Sequence, residues 1–303
     1  MDDLTRAFYE ERFENRYLTQ KGNAFQDFFS SIMEKRYPGD FQRVKPWGNV
    51  GDQKNDGYLK SRRMLFQCYA PNEVQAVATI KKIEDDFQGA LPYWRDYFDT
   101  WVFVHNSRDG LGPTVLKKLL DLGESNKPLK ITHWGFEELH QEASDLEEAD
   151  LVSLLGHAPS QRDMTGVRQA TVKAVLDTIS HRPPTAEADI RPVPQEKIEL
   201  NSLSPDVATM LRAGMGKADL VRRYIDGQAD PRLGDEIAAS FTAEYRQLRG
   251  QTMSPDAIFH QLQMFAGGAE LGTPDHQAGV LAVLAYLFER CDIFEREDSE
   301  AKS

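Results

Sequence analysis

The stretch FQRVKPWGNVGDQKNDGYLKSRRMLFQCY, residues 41–69, decides the fold. It holds three short extended segments, Phe41–Lys45, Asp56–Lys60 and Met64–Tyr69. Pro46, Gly48, Gly51 and Gly57 punctuate the first connection, and Ser61–Arg63 reads as a hairpin turn. Strands that follow one another so closely predict a meander. Side chains alternate faces along a strand, so Gln67 and Tyr69 point the same way. Asp56, on the neighbouring strand, can face them.

Outward from this stretch, the periodicity changes. Leu4–Leu18 repeats Phe8, Tyr9, Phe13 and Tyr17 at helical spacing. A second helix sets Phe25, Phe28, Phe29, Ile32 and Met33 on one face, with Asn23 as its expected N-cap and Pro38-Gly39 as its end. Downstream, Pro71-Asn72 is expected to open a helix running to Gln88, with a short aromatic helix after Pro92. Trp101–His105 reads as a buried strand and Leu129–Trp134 as a further strand, with Leu111–Leu122 and Phe136–Ala143 as helices. Strands joined through helices extend a sheet in parallel. After Gly156 the composition shifts. Thr165–Ser180 is amphipathic, His181–Pro194 is proline-rich, and helical segments follow at Ser204–Ala213, Lys217–Asp226, Gly234–Leu248, Pro255–Phe265 and His276–Cys291. The expected organisation is α/β: a mixed sheet flanked by helices over 1–156, a helix and linker over 157–194, and an all-α C-terminal domain over 195–303.

The chain has 303 residues and a net charge of −12. No apolar run approaches the roughly 18 residues of a membrane span. The acidic, amphipathic start lacks the features of a signal peptide, so a cytoplasmic protein is expected. Cys68 and Cys291 stand far apart, which argues against a disulfide framework or a cysteine zinc site. A DNA-coating protein is usually basic. Here Lys35, Arg36, Arg43, Lys45, Lys54, Lys60, Arg62 and Arg63 cluster ahead of acidic stretches such as 145–150, leaving room for a local basic face.

The segments GNAFQ (22–26), GDQKNDG (51–57) and FQCY (66–69) resemble the helix start, aspartate strand and Q-x-K strand of Mrr-like nucleases of the PD-(D/E)xK, restriction-endonuclease-like class. The resemblance implies a restriction-endonuclease-like sheet and Mg²⁺- or Mn²⁺-dependent DNA cleavage. It matches Asp56 to the metal-binding aspartate, Gln67 to the Q of Q-x-K, and Gln26 to the helix glutamate. Tyr69 stands where the lysine belongs, and tyrosine supplies no cation. Lys54, two residues before Asp56, is the candidate substitute, and Asp52 a candidate second carboxylate. These departures set a second expectation beside the first: an inactive nuclease-fold scaffold or DNA-docking subunit.

The longer strings PGDFQRVKPWG, GDQKNDGYL, FQCYAPNE and DFQGALPYW, with the ending Leu287–Glu295, resemble components of bacterial ABC-three-component anti-phage defence systems. That resemblance implies an effector first domain and a C-terminal domain that docks an ABC/SMC-like ATPase and other subunits. No membrane role follows from it, and self-association into a homo-oligomer is left open. Other motifs carry less. Ala213–Ala218 lacks the first glycine and the Ser/Thr of a phosphate-binding loop. His133 and His140 form no zinc-protease pattern. His105 and the loop Asn106–Asp109 lie at a strand's C-terminal end, where α/β sites gather. Trp47, Trp94, Trp101 and Trp134 are expected in the core or an interface.

Overall fold

The computed structural model describes residues 1–44, 53–180, 197–230, 232–251, 253–267, 272–290 and 292–295. They fall into two compact units, one of residues 16–154 and one of residues 1–15 with 155–303. Helix α1 (Asp3–Thr19) contributes to both, passing from one to the other at Asn15/Arg16.

In the unit 16–154, α2 (Gly22–Arg36) leads to β1 (Phe41–Arg43), β2 (Gly57–Leu59) and β3 (Met64–Tyr69). Then come α3 (Ala76–Trp94), β4 (Thr100–His105), α4 (Pro113–Ser125), β5 (Lys130–Trp134), α5 (Phe136–Ser144) and α6 (Glu148–Leu155), whose last residue falls in the other unit. The five strands lie in chain order, β1-β2-β3-β4-β5. The first two pairings are antiparallel and the last two parallel, a mixed sheet of the order that the spacing predicts.

Burial follows strand alternation. Leu65, Trp101 and Phe103 pack with Ile83, Phe87 and Ala90 of α3 and with Val115 and Leu119 of α4. On the opposite face Phe66 meets Phe29 of α2, Phe41 of β1 and Trp134 of β5. Each such side chain, once buried, contributes about 1.5–3 kcal/mol. Gly57 is required on β2 because a Cβ there would stand 2.3 Å from the Phe41 ring.

Three local expectations are corrected. Asn23 is not the N-cap of α2: Gly22 turns the chain at φ +52 and donates to the Ala70 carbonyl, and the cap position falls on Lys21, two residues earlier. The helix expected from Pro71 begins at Ala76, after an extended Gln75. No separate aromatic helix follows Pro92, since α3 runs through it to Trp94. The missing N–H then removes only one bond, close to the helix end.

The described elements of the other unit are helices: α7 (Gln161–Gly166), α8 (Gln169–Ser180), α9 (Lys197–Leu200), α10 (Pro205–Met215), α11 (Ala218–Asp226), α12 (Leu233–Arg249), α13 (Pro255–Phe265) and α14 (Pro274–Glu289). The proline-rich stretch 181–194 and Cys291 lie outside the described residues. Ser204, Ser254 and Thr273 cap α10, α13 and α14, each with proline at the helix start. Helix α14 is buried continuously from Gln277 to Phe288, as befits a helix apolar on every side. It packs against α7, α8, α10, α11 and α13. Gly214 of α10 is the point of closest approach, where a Cβ would meet the Leu281 carbonyl at 2.3 Å. The chain then folds back over α14. Lys197, 2% exposed, donates to the carbonyls of Phe288 (2.8 Å) and Ile293 (2.5 Å), and Asn201 bonds the backbone of Glu295.

Candidate functional site

The register pairs Gly57 with Phe66, which brings the residue before Gly57 opposite Gln67. Asp56 is thereby fixed at the mouth of β2. Its amide donates to the Phe66 carbonyl at 2.9 Å, and its side chain is 4% exposed. Three donors converge on the carboxylate. Gln26 Nε2 reaches Oδ1 at 2.7 Å, Gln67 Nε2 reaches Oδ2 at 2.8 Å, and the Cys68 amide reaches Oδ2 at 2.7 Å. A buried carboxylate is tolerated only when so satisfied. The approach to Asp56 is tightly built. Gln53 and Lys54 both lie in the left-handed region, at φ 51 and 60, and the Asn55 side chain accepts from the Gly57 amide at 2.9 Å. Left-handed backbone is unfavourable for such residues and persists where the surroundings enforce it.

Three of the residues singled out in the sequence therefore meet: Asp56, Gln67 and Gln26. Gln67 Oε1 is buried without a hydrogen-bond partner. Burial, and next the negative charge of Asp56, push the Cys68 thiol well above the usual range. Such a shift disfavours the thiolate, the nucleophilic form. Tyr69 half-faces solvent and packs on Phe103, ring centroids 6.0 Å apart. Lys54 pairs with Asp86 of α3 at 3.1 Å. Asp52 lies outside the described residues. Among the described residues no group of three or more His, Cys, Asp and Glu is placed to hold a metal ion.

Two features escaped the sequence reading. Asp86 is fully buried and binds both Lys54 and Lys82, the latter at 2.7 Å to Oδ2 and 3.0 Å to Oδ1. A signal was present: Asp86 interrupts the buried stripe Thr79, Ile83, Phe87 and Ala90 of an otherwise amphipathic helix. His105 and His133, on adjacent strands, approach at 3.3 Å between Nε2 and Nδ1. Burial, reinforced by His133, lowers the His105 pKa to about 4.

The basic face is largely neutralised. Lys35 pairs with Asp150, Arg36 with Glu142 and Asp145, Arg43 with Asp27 and Glu34, and Arg63 with Asp99. Gly214, in the stretch weighed as a phosphate loop, serves helix packing, and Lys217 bonds the Thr165 carbonyl.

Fold and site together define an α/β unit carrying a carboxylate–amide centre beside the paired strands β2 and β3, accompanied by a helical unit. Residues 170–295, within that helical unit, match the family model of C-terminal domain 10 of the ABC-three component (ABC-3C) systems. The match indicates a component of such a system. No curated protein and no solved structure matches the chain. No helix among the described residues is long and apolar enough to cross a membrane.

Proposed function

We propose that the chain is an effector subunit of an antiviral ABC-three component system. Its sheet unit is a restriction-endonuclease-like domain that hydrolyses DNA phosphodiesters under the control of an ABC/SMC-like ATPase. Its all-α C-terminal part docks that partner. One observation supports this above others. Asp56, Gln67 and Gln26, from two neighbouring strands and the first helix of the unit, meet within hydrogen-bond distance. These are the positions that the Mrr-like pattern assigns to metal binding.

The residues suit a hard divalent cation, which takes oxygen ligands from one or two carboxylates and keeps several waters. Asp56 offers the carboxylate, and the buried, unpartnered Gln67 Oε1 offers a second oxygen. A bound Mg²⁺ or Mn²⁺ supplies charge for the scissile phosphate and makes water a better nucleophile. The protein's own part is positional. The Cys68 amide and the Gln26 side chain orient the carboxylate. Contacts to phosphate alone carry no sequence information, so cleavage of low specificity is expected.

A second reading draws on the ion pair of Lys54 with Asp86 and the packing of Tyr69 on Phe103. Both fit a nuclease fold retained as a scaffold or DNA-docking subunit. Plasmid cleavage in Mg²⁺ or Mn²⁺, with and without the co-encoded ATPase, separates the two. The first reading expects nicking or linearisation that Asp56→Asn abolishes. Cleavage that survives Asp56→Asn sinks the site assignment. Wild-type inactivity in the assembled, DNA-engaged complex favours the scaffold.

A further inference from the structure

We infer that Lys54 and Lys82 form a two-lysine phosphate clamp for the DNA backbone, drawn together and aimed by Asp86. The inference rests on the DNA-directed reading above and deepens it. Three independent features of the structure converge on it.

The first is Asp86 itself. A fully buried carboxylate on the sheet-facing stripe of α3 is costly, and an apolar residue there would commonly serve the core as well. Its presence is explained by the two ammonium groups on it. Lys54 Nζ stands 3.1 Å from Oδ1, and Lys82 Nζ stands 3.0 Å from the same oxygen. Both ammonium groups thus gather at one point, with a net charge of one cation across the three side chains.

The second is the room made for Lys54. A Cβ on Gly89 would lie 2.8 Å from Lys54 Cγ, so the lysine stem lies across α3 in a notch that only glycine leaves. The third is the backbone. Gln53 and Lys54 are held at φ 51 and 60, an unfavourable geometry that sends Lys54 toward α3 while Asp56, two residues on, enters the sheet. Gln67 shares its strand face with Leu65, which packs against Ile83 and Phe87 of α3. Gln67 therefore faces the same side of the sheet as the clamp, while Gln26 reaches Asp56 from α2, which packs on the other side.

The lysine side chains keep 43% and 33% of their surface exposed, so the clamp remains accessible. An ammonium has three N–H donors, so a lysine held by Asp86 can still donate to a phosphate oxygen, with one net positive charge across the three side chains. The clamp supplies the cation that Tyr69 does not. Asp86 is a positioning residue in this scheme, and Lys54 and Lys82 are binding residues.

The test is equilibrium binding of a short labelled DNA duplex to the full chain in EDTA across a salt series. Lys54→Ala and Lys82→Ala are each expected to weaken binding several-fold and to lower the salt slope by about 1, the loss of one phosphate contact. Lys54→Arg and Lys82→Arg should restore most of the slope. Asp86→Asn gives the sharper contrast. Charge alone would make it bind DNA more tightly, because a negative group is removed. A positioning role makes it bind no better, and lowers kcat for cleavage more than it raises KM. Thermal unfolding controls for folding of each variant. Unchanged affinity and slope in both alanine variants overturn the clamp, as does a wild-type chain that binds no duplex. If the clamp variants behave as expected but cleavage is never seen, the clamp stands and the nuclease reading fails. If cleavage requires Asp56 but ignores both lysines, the reverse holds.

Discussion

At the residue scale, the Asp56 carboxylate is the acceptor for three N–H donors, two of them side-chain amides from Gln26 and Gln67. Asp56→Asn keeps the shape but turns an NH₂ toward those donors. Its expected cost is about 1–3 kcal/mol, read from chemical unfolding, on top of any loss of cleavage. His105 makes a second prediction. Its pKa lies at about 4, lowered by burial and by His133. The native state therefore requires the neutral ring. The stability this contributes is full above about pH 6.5, the ordinary histidine value, and is lost as pH falls toward 4. The loss amounts to roughly 3 kcal/mol, at about 1.4 kcal/mol per pH unit. All four tryptophans lie between residues 47 and 134, so tryptophan fluorescence reports on the sheet unit. Urea midpoints by this probe should drop between pH 7 and pH 4, and His105→Gln should flatten the drop. Asp56, Gln67 and Gln26 were legible because each is fixed by a short local pattern. Lys82 and Asp86 were not recognised, because their meaning depends on which face of α3 meets the sheet.

At the element scale, the sheet was readable because β1, β2 and β3 are short segments set among Gly, Pro and a hairpin turn, and β4 is an unbroken apolar run. Helix limits near Pro71 and Pro92 were not, because tertiary contacts set them. Gly22 is pinned to Ala70, and the single bond lost at Pro92 falls near the helix end. The C-terminal helices were legible in their approximate extents, α13 at the expected Pro255–Phe265. Their packing was not, as Gly214 shows. Gly214→Ala should push α10 off α14 and cost about 1–3 kcal/mol by overpacking. Gly216→Ala, whose Cβ would meet only the Ala213 carbonyl at 3.6 Å, should be nearly neutral. Thermal melts of the two variants give the comparison. The return segment after α14 contributes a titration of opposite sign. Burial raises the Asp292 pKa to about 6 and outweighs the attraction of Arg290 and Lys197. The native state holds this proton between about pH 4 and 6, so stability from Asp292 is present below that window and lost as pH rises through it. Asp292→Asn should therefore stabilise the helical unit at pH 7 by an amount on the order of 3 kcal/mol, a gain that vanishes below pH 4.

At the scale of the whole molecule, the division of the chain is not a simple cut between an N-terminal and a C-terminal half. Residues 1–15 belong with residues 155–303. The Gln161 amide donates to Asp2 at 2.8 Å, Thr5 donates to the Pro159 carbonyl at 3.2 Å, and Glu11 meets His260 at 2.9 Å. Sequence order cannot reveal such a return, since helical periodicity says nothing of which unit a helix joins. Deleting residues 1–15 should raise hydrogen exchange across α13, which carries His260. Unchanged protection there would deny α1 its structural role.

The central claim is that Asp56 anchors a divalent metal centre. A restrained effector can be inactive without its trigger, so metal binding tests the claim more directly than turnover. Mn²⁺ titration of the full-length protein, followed by electron paramagnetic resonance, is the measurement. The expected result is one bound ion per chain, with Asp56→Asn weakening the affinity by at least the roughly 10–100-fold typical of outer-shell changes. Mn²⁺ binding of equal strength in wild type and Asp56→Asn, or none in either, would contradict it.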